Sequence, residues 1–276
     1  MPRWTVEDTT DLDFNGVVAL KVMLVSGDVS VLAGGDEPSV HVAEVNGRPL
    51  TISHEAGMLN VSHENLLLEG LLTWVRNNRS SADVTVTVPP DCPVSLNLVN
   101  ANAVVTGLTS GVSVRSGAGE ITLDGVTGRV NADMIGGVVE AQGLDGTVQF
   151  TSVSGDLALA GGSIERLTGR SVSGRIAADI DLIEGGQVQV NTASGEVTLR
   201  LPASTSAEVS LTTITGRIDS SFPELKAPSR SVPHTLTGTL GDGSGRVTVN
   251  TVSGTITVLS RPDDNARPGG EPDVEV

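Results

Sequence analysis

Apolar and polar residues alternate along most of the chain in stretches of four to six positions. Residues 196–199 and 246–250 are examples, because Val or Leu occupies every second position in them. A period of two is typical of strands that bury one face. Val, Thr and Ile dominate these stretches and favour extended backbone. The pattern therefore predicts an all-β fold.

A short phrase that ends in Ser-Gly or Thr-Gly recurs from about residue 112 onward. The glycines at 117, 137, 155, 174, 195 and 216 follow one another at near-constant intervals, and the interval from 216 to 254 is about twice as long. We interpret the last interval as two periods. The repeat unit then has about 20 residues, a length typical of repeat folds.

A unit of this size cannot bury an apolar face alone and must stack on its neighbours. The repeat therefore predicts a β-solenoid over residues 94–260, with rungs about 4.8 Å apart. An antiparallel β-sandwich also contains alternating strands, but it gives no reason for one phrase at near-constant spacing.

The glycine of each phrase is expected at a corner between strands, either with a positive φ or where two backbones approach closely. The Ser or Thr before it can bond to the backbone of the turn. The predicted corner glycines are Gly117, Gly155, Gly174, Gly195, Gly216 and Gly254.

Residues 1–93 lack this period and indicate an antiparallel meander that caps the solenoid. Asn46-Gly47 separates two alternating stretches, which is a strong signal for a two-residue hairpin. A covered end is expected because an exposed terminal rung invites edge pairing.

One stretch inside the meander, residues 64–79, has apolar residues at helical spacing and predicts the one inserted helix. Its two arginines fall in the last turn, where they complement the helix dipole. The helix either caps the first rungs or forms a docking surface for a second copy or a membrane interface. The candidate docking residues are Leu67, Leu71, Trp74, Val75, Arg76 and Arg79.

Two further segments break the strand pattern. Residues 222–237 contain three prolines and predict a loop in place of one rung's strand. Residues 261–276 are rich in Pro, Gly, Asp and Glu and predict a disordered acidic tail.

Several of these features together resemble the bacterial toastrack β-strand-repeat family, which carries the label "putative adhesin". They are the repeated phrase, Trp4 near the start, the apolar insertion around Trp74, and the final run at 251–258. The resemblance covers roughly residues 4–260. It implies a single-stranded, right-handed β-solenoid-like fold and, for some members, a link to cell-envelope stress. The family has no agreed catalytic residues and no general ligand.

Charge and cysteine content exclude several classes of function. The chain has 33 acidic and 17 basic side chains, a net charge of −16, so it would repel a nucleic-acid backbone. Its single cysteine, Cys92, excludes an intrachain disulfide framework. The first residues lack the apolar core of a secretory signal and no apolar run is long enough to span a membrane, so a cytoplasmic location is expected.

Catalytic and metal sites find little support in the residue types. Sugar hydrolysis needs paired carboxylates in a groove with stacking aromatics, yet Phe150 is the only large ring between residues 94 and 200. His54 and His63 could hold a metal if their strands pair, and double glycines without the repeated Asp are a weak calcium signal. No cofactor is expected. The candidate carboxylates are Asp124, Asp133, Glu140, Asp145, Asp156, Asp179 and Asp181.

These observations predict a non-enzymatic β-repeat protein that presents a rigid surface to an unidentified protein partner or to itself. One alternative is a polymerising scaffold in which the end rungs of separate copies pair. The other, from a different class, is a carbohydrate-acting β-helix enzyme.

Overall fold

The structure is a computed structural model that describes residues 3–35, 37–63, 80–225 and 232–262. These residues form 21 β-strands and no helix, so the expected all-β class is confirmed. In chain order the strands are β1 (Arg3–Val6), β2 (Thr10–Asp13), β3 (Ala19–Ala33), β4 (Ser39–Asn46), β5 (Leu50–Glu55), β6 (Met58–His63), β7 (Ser81–Val88), β8 (Val94–Thr106), β9 (Val112–Ala118), β10 (Glu120–Asp124), β11 (Thr127–Met134), β12 (Val138–Gln142), β13 (Asp145–Ser152), β14 (Asp156–Ser171), β15 (Arg175–Thr192), β16 (Glu196–Pro202), β17 (Ala207–Thr213), β18 (Ile218–Ser220), β19 (His234–Leu240), β20 (Gly245–Thr251) and β21 (Ile256–Arg261).

Parallel ladders join strands that lie one repeat apart in the chain. Ile121 in β10 pairs with Ala103 in β8, one repeat earlier, and Ile176 in β15 pairs with Val197 in β16, one repeat later. From β9 to β14 each turn of chain contributes to two such ladders, one through β9, β11 and β13 and one through β10, β12 and β14. We call each turn a coil. Successive coils therefore stack in register at the spacing that the repeat predicts.

The core is a column of aliphatic side chains that the alternation places inside the coils. In β7 every second residue is buried, from Ala82 to Val88. Phe150 is a fully buried large ring and lies at the equivalent position to Ala132 of the preceding coil. At this level of the stack a small residue therefore lies next to a large one, which fills the interior.

The C-terminal coil does not lie at the end of the stack. Strand β20 pairs in parallel with β15 on one side and β17 on the other, so Asn250 lies between Asn191 and Thr212. Strand β21 likewise lies between β16 and β18. The interpretation of the 216-to-254 interval as two periods is therefore wrong: the last coil is inserted between two earlier ones.

The N-terminal region also contains an inserted strand. Strand β3 pairs in parallel with β8 on one side and with β6 and β7 on the other. Antiparallel pairing begins only outside this layer, where β5 joins β6, β1 joins β5, β4 joins β7 and β2 joins β4. These outer strands are antiparallel, but only β5 and β6 are consecutive in the chain, so the region is not a simple meander.

The predicted hairpin at Asn46-Gly47 is wrong, because β4 and β5 do not pair with each other. Both edges of β4 are occupied by β2 and β7, and both edges of β5 by β1 and β6. The chain turns a corner there, with a φ of 86° at Gly47. A two-residue hairpin does occur between β5 and β6, where Ala56 and Gly57 have φ of 49° and 81°.

The remaining segment predictions fall partly outside the described residues. The predicted helix at 64–79, the acidic tail from 263 onward and residues 226–231 of the proline-rich loop all lie there. Inside the described part, β19 begins at His234, within the segment that was expected to be a loop. Arg261, assigned to the tail, ends β21 and is only 9% exposed.

Candidate interaction surface

The corner phrase consists of a Ser or Thr, an aliphatic residue, a second Ser or Thr, and Gly. The first hydroxyl is buried, and in three repeats it closes the turn. Ser152 Oγ accepts a hydrogen bond from the Gly155 N–H at 2.6 Å, and Thr213 Oγ1 accepts from the Gly216 N–H at 3.0 Å. Thr251 Oγ1 accepts from Gly254 N–H at 2.9 Å in the same way. A local bond of this kind stabilises a tight turn. At the two equivalent corners of Ser171 and Thr192 the buried hydroxyl has no hydrogen-bond partner among the described residues.

The second hydroxyl of the phrase joins one coil to the next. The Ser173 N–H and Oγ–H both donate to the carbonyl oxygen of Val153, at 2.8 and 3.3 Å. Ser253 makes the same pair of bonds to Ala193, at 2.9 and 3.3 Å. Each corner is therefore held to its neighbour by a side-chain bond in addition to the backbone ladder.

The aliphatic residue of the phrase points away from the core. Val153, Val172 and Val252 are 51%, 56% and 50% exposed, and Ile214 is 44% exposed. Ile135, at the equivalent place in a Met-Ile-Gly-Gly corner that lacks both hydroxyls, is 64% exposed. Because the corners are stacked, these side chains form a continuous line over six coils, roughly 24 Å long at the usual strand spacing. We call this line the aliphatic ridge; in stacking order it comprises Ile135, Val153, Val172, Ala193, Val252 and Ile214.

Sequence reasoning missed the ridge because an aliphatic residue in a β-repeat is ordinarily assigned to the core. The signal was available in the strand period. In β13, Val148, Phe150 and Ser152 are buried, so the next residue, Val153, must face outward. The phrase thus places a hydroxyl inward and an aliphatic side chain outward, which is the reverse of the usual burial of these residue types.

Beneath the ridge runs a column of glycines in which neighbouring backbones approach closely. A Cβ at Gly155 would lie 3.0 Å from the Gly137 carbonyl oxygen, and one at Gly195 would overlap the Gly174 carbonyl oxygen. Of the six glycines singled out from the sequence, only Gly174 has a positive φ, at 147°. Close approach is thus the feature that these corners share.

Gly117 departs from the rest of that set. It lies inside β9, and a Cβ there would be 2.6 Å from the Val99 carbonyl oxygen. The residue that stacks in the glycine column at this coil is Gly119, whose carbonyl oxygen a Cβ at Gly137 would overlap. The Ser-Gly motif alone therefore did not identify Gly119 as the member of the glycine column in this coil.

The docking surface expected on the inserted helix lies outside the described residues, so its geometry does not enter here. Its members are Leu67, Leu71, Trp74, Val75, Arg76 and Arg79.

Most of the candidate carboxylates hold coils together. Asp145 Oδ1 and Asp156 Oδ1 accept hydrogen bonds from backbone N–H groups one coil away, at 2.7 and 2.6 Å. Asp133 lies 3.7 Å from an arginine on the adjacent strand, while Asp124 and Glu140 are exposed. These partners give the acidic residues a structural use.

The last two candidate carboxylates form a charged cluster at the end of β21. The Arg261 guanidinium is ion-paired with Asp179 at 2.9 Å and with Asp181. Asp179 also accepts a hydrogen bond from Arg200 at 2.9 Å. The cluster joins the inserted C-terminal coil to the coil of β15 through a side chain that is nine-tenths buried.

The two histidines considered as metal ligands lie on paired strands but at different places. His63 pairs with Leu50 and His54 with Leu59, so four ladder positions separate them. Burial lowers the pKa of His63, and His54 packs edge-on against Phe14. Within the described ranges, no group of three or more His, Cys, Asp or Glu side chains could hold a metal ion.

Cys92 is buried just before the start of β8. Burial, with a smaller contribution from Asp91, raises the pKa of its thiol to about 11. A thiol in this state is a poor nucleophile near neutral pH, in keeping with a structural role.

Among residues 3–35, 37–63, 80–225 and 232–262, no helix has the length and apolar character needed to cross a membrane.

Comparison with known proteins identifies a family. A family model described as Toastrack DUF4097 matches residues 15–259, which confirms the resemblance inferred from the sequence. No curated protein matches the chain.

Solved structures provide low-identity likenesses that cover most of the chain. A "putative adhesin" from Bacteroides fragilis is 12% identical, covers 92% of this chain and 98% of its own, and has a TM-score of 0.43. A "putative lipid binding protein" from Parabacteroides distasonis is 13% identical, with 91% and 96% coverage and a TM-score of 0.39. A "putative cell adhesion protein" from Clostridium sporogenes is 12% identical, with 92% and 100% coverage and a TM-score of 0.27.

Proposed function

Since this chain belongs to the Toastrack DUF4097 family, for which no activity is established, we propose that it is a non-enzymatic interaction module. Its stacked coils form a single-stranded solenoid that presents the aliphatic ridge to a protein partner. Right-handed winding is expected because crossovers between parallel strands are right-handed in nearly all known cases.

The repeated exposure of aliphatic side chains is the observation that supports this proposal. Single exposed apolar residues are ordinary, but a contiguous apolar line on a protein surface is typical of an interaction site. In Val153, Val172 and Val252 about half of each side chain stays in water at equivalent corners. Burying such surface contributes roughly 25 cal/mol per Å² to the free energy of binding. A partner that covers the whole ridge therefore gains binding free energy at each coil.

The ridge also suits recognition because its spacing is rigid. The Ser173 and Ser253 hydroxyls hold neighbouring corners together by direct bonds to carbonyl oxygens. Little conformational entropy is then lost on binding, which favours affinity.

Site-specific photocrosslinking in native cells tests the proposal. A photoreactive residue at Val172 should give discrete protein adducts, whereas the same residue at Val104 should not. Val104 is a matched control, because it is an exposed valine (40%) in β8, outside the ridge. Changing Val153 and Val252 to Thr should abolish the adducts, since Thr keeps the β-branched shape but not the apolar surface. Equal adduct patterns at 172 and 104, or none at either, would contradict the proposal.

The polymerising alternative depends on the two ends of the stack. At the C-terminal end β17 is the one strand of the described residues that pairs with β19. Leu225 packs against β19, since a Cβ at Gly238 would lie 2.7 Å from Leu225 Cδ2. At the other end β1 has only four residues. Short or covered edges oppose edge-to-edge pairing. Light scattering that rises with concentration and is insensitive to ridge substitutions would favour polymerisation instead.

A further inference from the structure

A groove of about 360 Å³ lies on the outer face of the stack near its N-terminal end, away from the aliphatic ridge. It crosses the starts of five adjacent strands, β6, β3, β8, β9 and β11. Met58 lies at one end and Arg129 at the other. We call it the amphipathic groove.

The strand period and residue size explain the depression. Leu20, Val94 and Val112 point into the core and are at most 2% exposed, so their neighbours in each strand face outward. Ser95 and Ser113 pair with each other in register on this outer face. Small side chains thus form the floor, and longer ones stand at the ends.

One end of the groove is apolar and exposed. Met58 is 50% exposed, and the adjacent Val18 is 64% exposed. Val18 is held beside Met58 because its N–H donates to the Gly57 carbonyl oxygen at 2.7 Å. Two such side chains next to a cavity form an apolar surface that a ligand can cover.

The charges at the groove run against the composition of the chain. Acidic side chains outnumber basic ones by 33 to 17 overall, yet the two charged residues that line the groove are both cations, Lys21 and Arg129. In the part of the chain that the structure describes, neither makes an ion pair. The groove is therefore a local site for an anion on an otherwise repelling surface.

We propose that the amphipathic groove binds an aliphatic carboxylate, with the carboxylate on Arg129 and the hydrocarbon chain directed across Gly111 and Pro93 toward Met58. A guanidinium is suited to this head group because its fork matches a carboxylate with two parallel hydrogen bonds. Lys21 lies on β3, three ladder steps or roughly 14 Å from the strand of Arg129, so it acts on the ligand through its field rather than by direct contact.

Because the head group and the hydrocarbon chain of the ligand contact different parts of the groove, their contributions to affinity can be measured separately. Each methylene that leaves water contributes up to about fourfold in affinity, so binding should tighten along a series from hexanoate to decanoate. Acetate, which has the head group alone, should bind much more weakly. Decyltrimethylammonium, which has the chain with the opposite charge, should also bind weakly.

The test is a titration of the full chain with decanoate, below its micelle concentration, followed by two-dimensional amide NMR and calorimetry. We expect shifts of the amides of Ser95, Ser113 and Asn131, and saturation at one site. Arg129→Glu should weaken binding at least about tenfold, because it removes a charge-assisted bond pair. Lys21→Glu should weaken it less, by about two- to fivefold.

The control is Arg217→Glu, an exposed arginine at the opposite end of the stack that, within the described ranges, also has no ion pair. It should bind decanoate as the unaltered chain does. No binding, equal binding of decyltrimethylammonium, or equal losses in Arg217→Glu and Arg129→Glu would each overturn the proposal. So would protection of the groove amides by concentration-dependent dimerisation, which would assign the groove to a second copy. Ridge substitutions should leave decanoate binding intact, so failure of either proposal is seen separately.

Discussion

Gly254 is the position at which the stacking of coils can be tested with one atom. It lies in the inserted C-terminal coil, between the coils of Gly195 and Gly216. In Gly254→Ala the new Cβ would overlap the Gly195 carbonyl oxygen and lie 2.7 Å from Thr251 Oγ1. The φ of Gly254 is not positive, so the cost comes from contact with backbone rather than from backbone strain.

The magnitude follows from what must move. The obstructing atoms are the Gly195 backbone of the neighbouring coil and the Thr251 hydroxyl of the turn itself, so the two coils must separate or the corner must shift. Overpacking of this kind costs about 1–3 kcal/mol, and weakening the Thr251–Gly254 hydrogen bond adds about 1 kcal/mol. For a chain of this size each kcal/mol lowers the melting temperature by roughly 2–4 °C, so the variant should melt at least about 4 °C lower.

The test is to compare the melting temperatures of Gly254→Ala and the control variant Gly35→Ala by scanning calorimetry. Gly35 also lacks a positive φ, and a Cβ there would meet no atom of the described residues within 4 Å. Alanine at such a site is neutral or slightly stabilising, because it restricts the unfolded chain. If the two variants melt at the same temperature, the close approach of coils at the glycine column is refuted.

Three further predictions concern titratable and charged groups. Burial lowers the pKa of His63. The stability that its neutral form contributes is therefore complete above pH 6.5 and is lost as the pH falls toward the lowered value. In urea unfolding at a series of pH values, the free energy of unfolding should fall more steeply below pH 6.5 in the unaltered chain than in His63→Gln. Cys92, with a thiol pKa of about 11, should react with iodoacetamide only after unfolding, and rapid labelling of the native chain would contradict its burial. Arg261→Met should destabilise the chain by about 1–3 kcal/mol, since it removes one of the two arginines that pair with the partly buried Asp179 and the arginine that pairs with Asp181. Amide hydrogen exchange should also accelerate in β21; unchanged exchange would show that the ion pairs do not hold that strand.

Local sequence patterns predicted the strands and the repeat, because both depend on interactions between neighbours in the chain. The period of two places Val197 and Leu199 inward, and the repeat interval matches the pairing of Ile176 with Val197. The order of coils could not be obtained in this way. The long interval from Gly216 to Gly254 fits two arrangements. The last coil could lie two periods further along the stack, or the chain could return and insert that coil before the coil of Gly216. The strand partners of Asn250 in the structure show that the second arrangement is present.

The same limit explains the errors at Asn46-Gly47 and in the candidate site. A turn signal predicts a change of direction, but which strands then pair depends on partners that are distant in sequence, here β2 and β7 for β4. The ridge could have been predicted from the strand alternation, because an inward Phe150 places Val153, three residues later, on the outward face. The amphipathic groove could not, because the strand of Met58 joins the same face as the strand of Arg129 only through the insertion of β3 between β6 and β8.

Disulfide trapping tests the inserted C-terminal coil most directly. Asn191 and Asn250 lie opposite each other, with their side-chain amides 3.1 Å apart, so cysteines at 191 and 250 should form a disulfide readily on mild oxidation. A pair at 250 and 212 should do the same. A pair at 191 and 212 should stay reduced, because two strand spacings of roughly 9.6 Å exceed the reach of a disulfide. Efficient crosslinking of 191 to 212, with none from 250, would mean that the coils stack in chain order and would contradict the account.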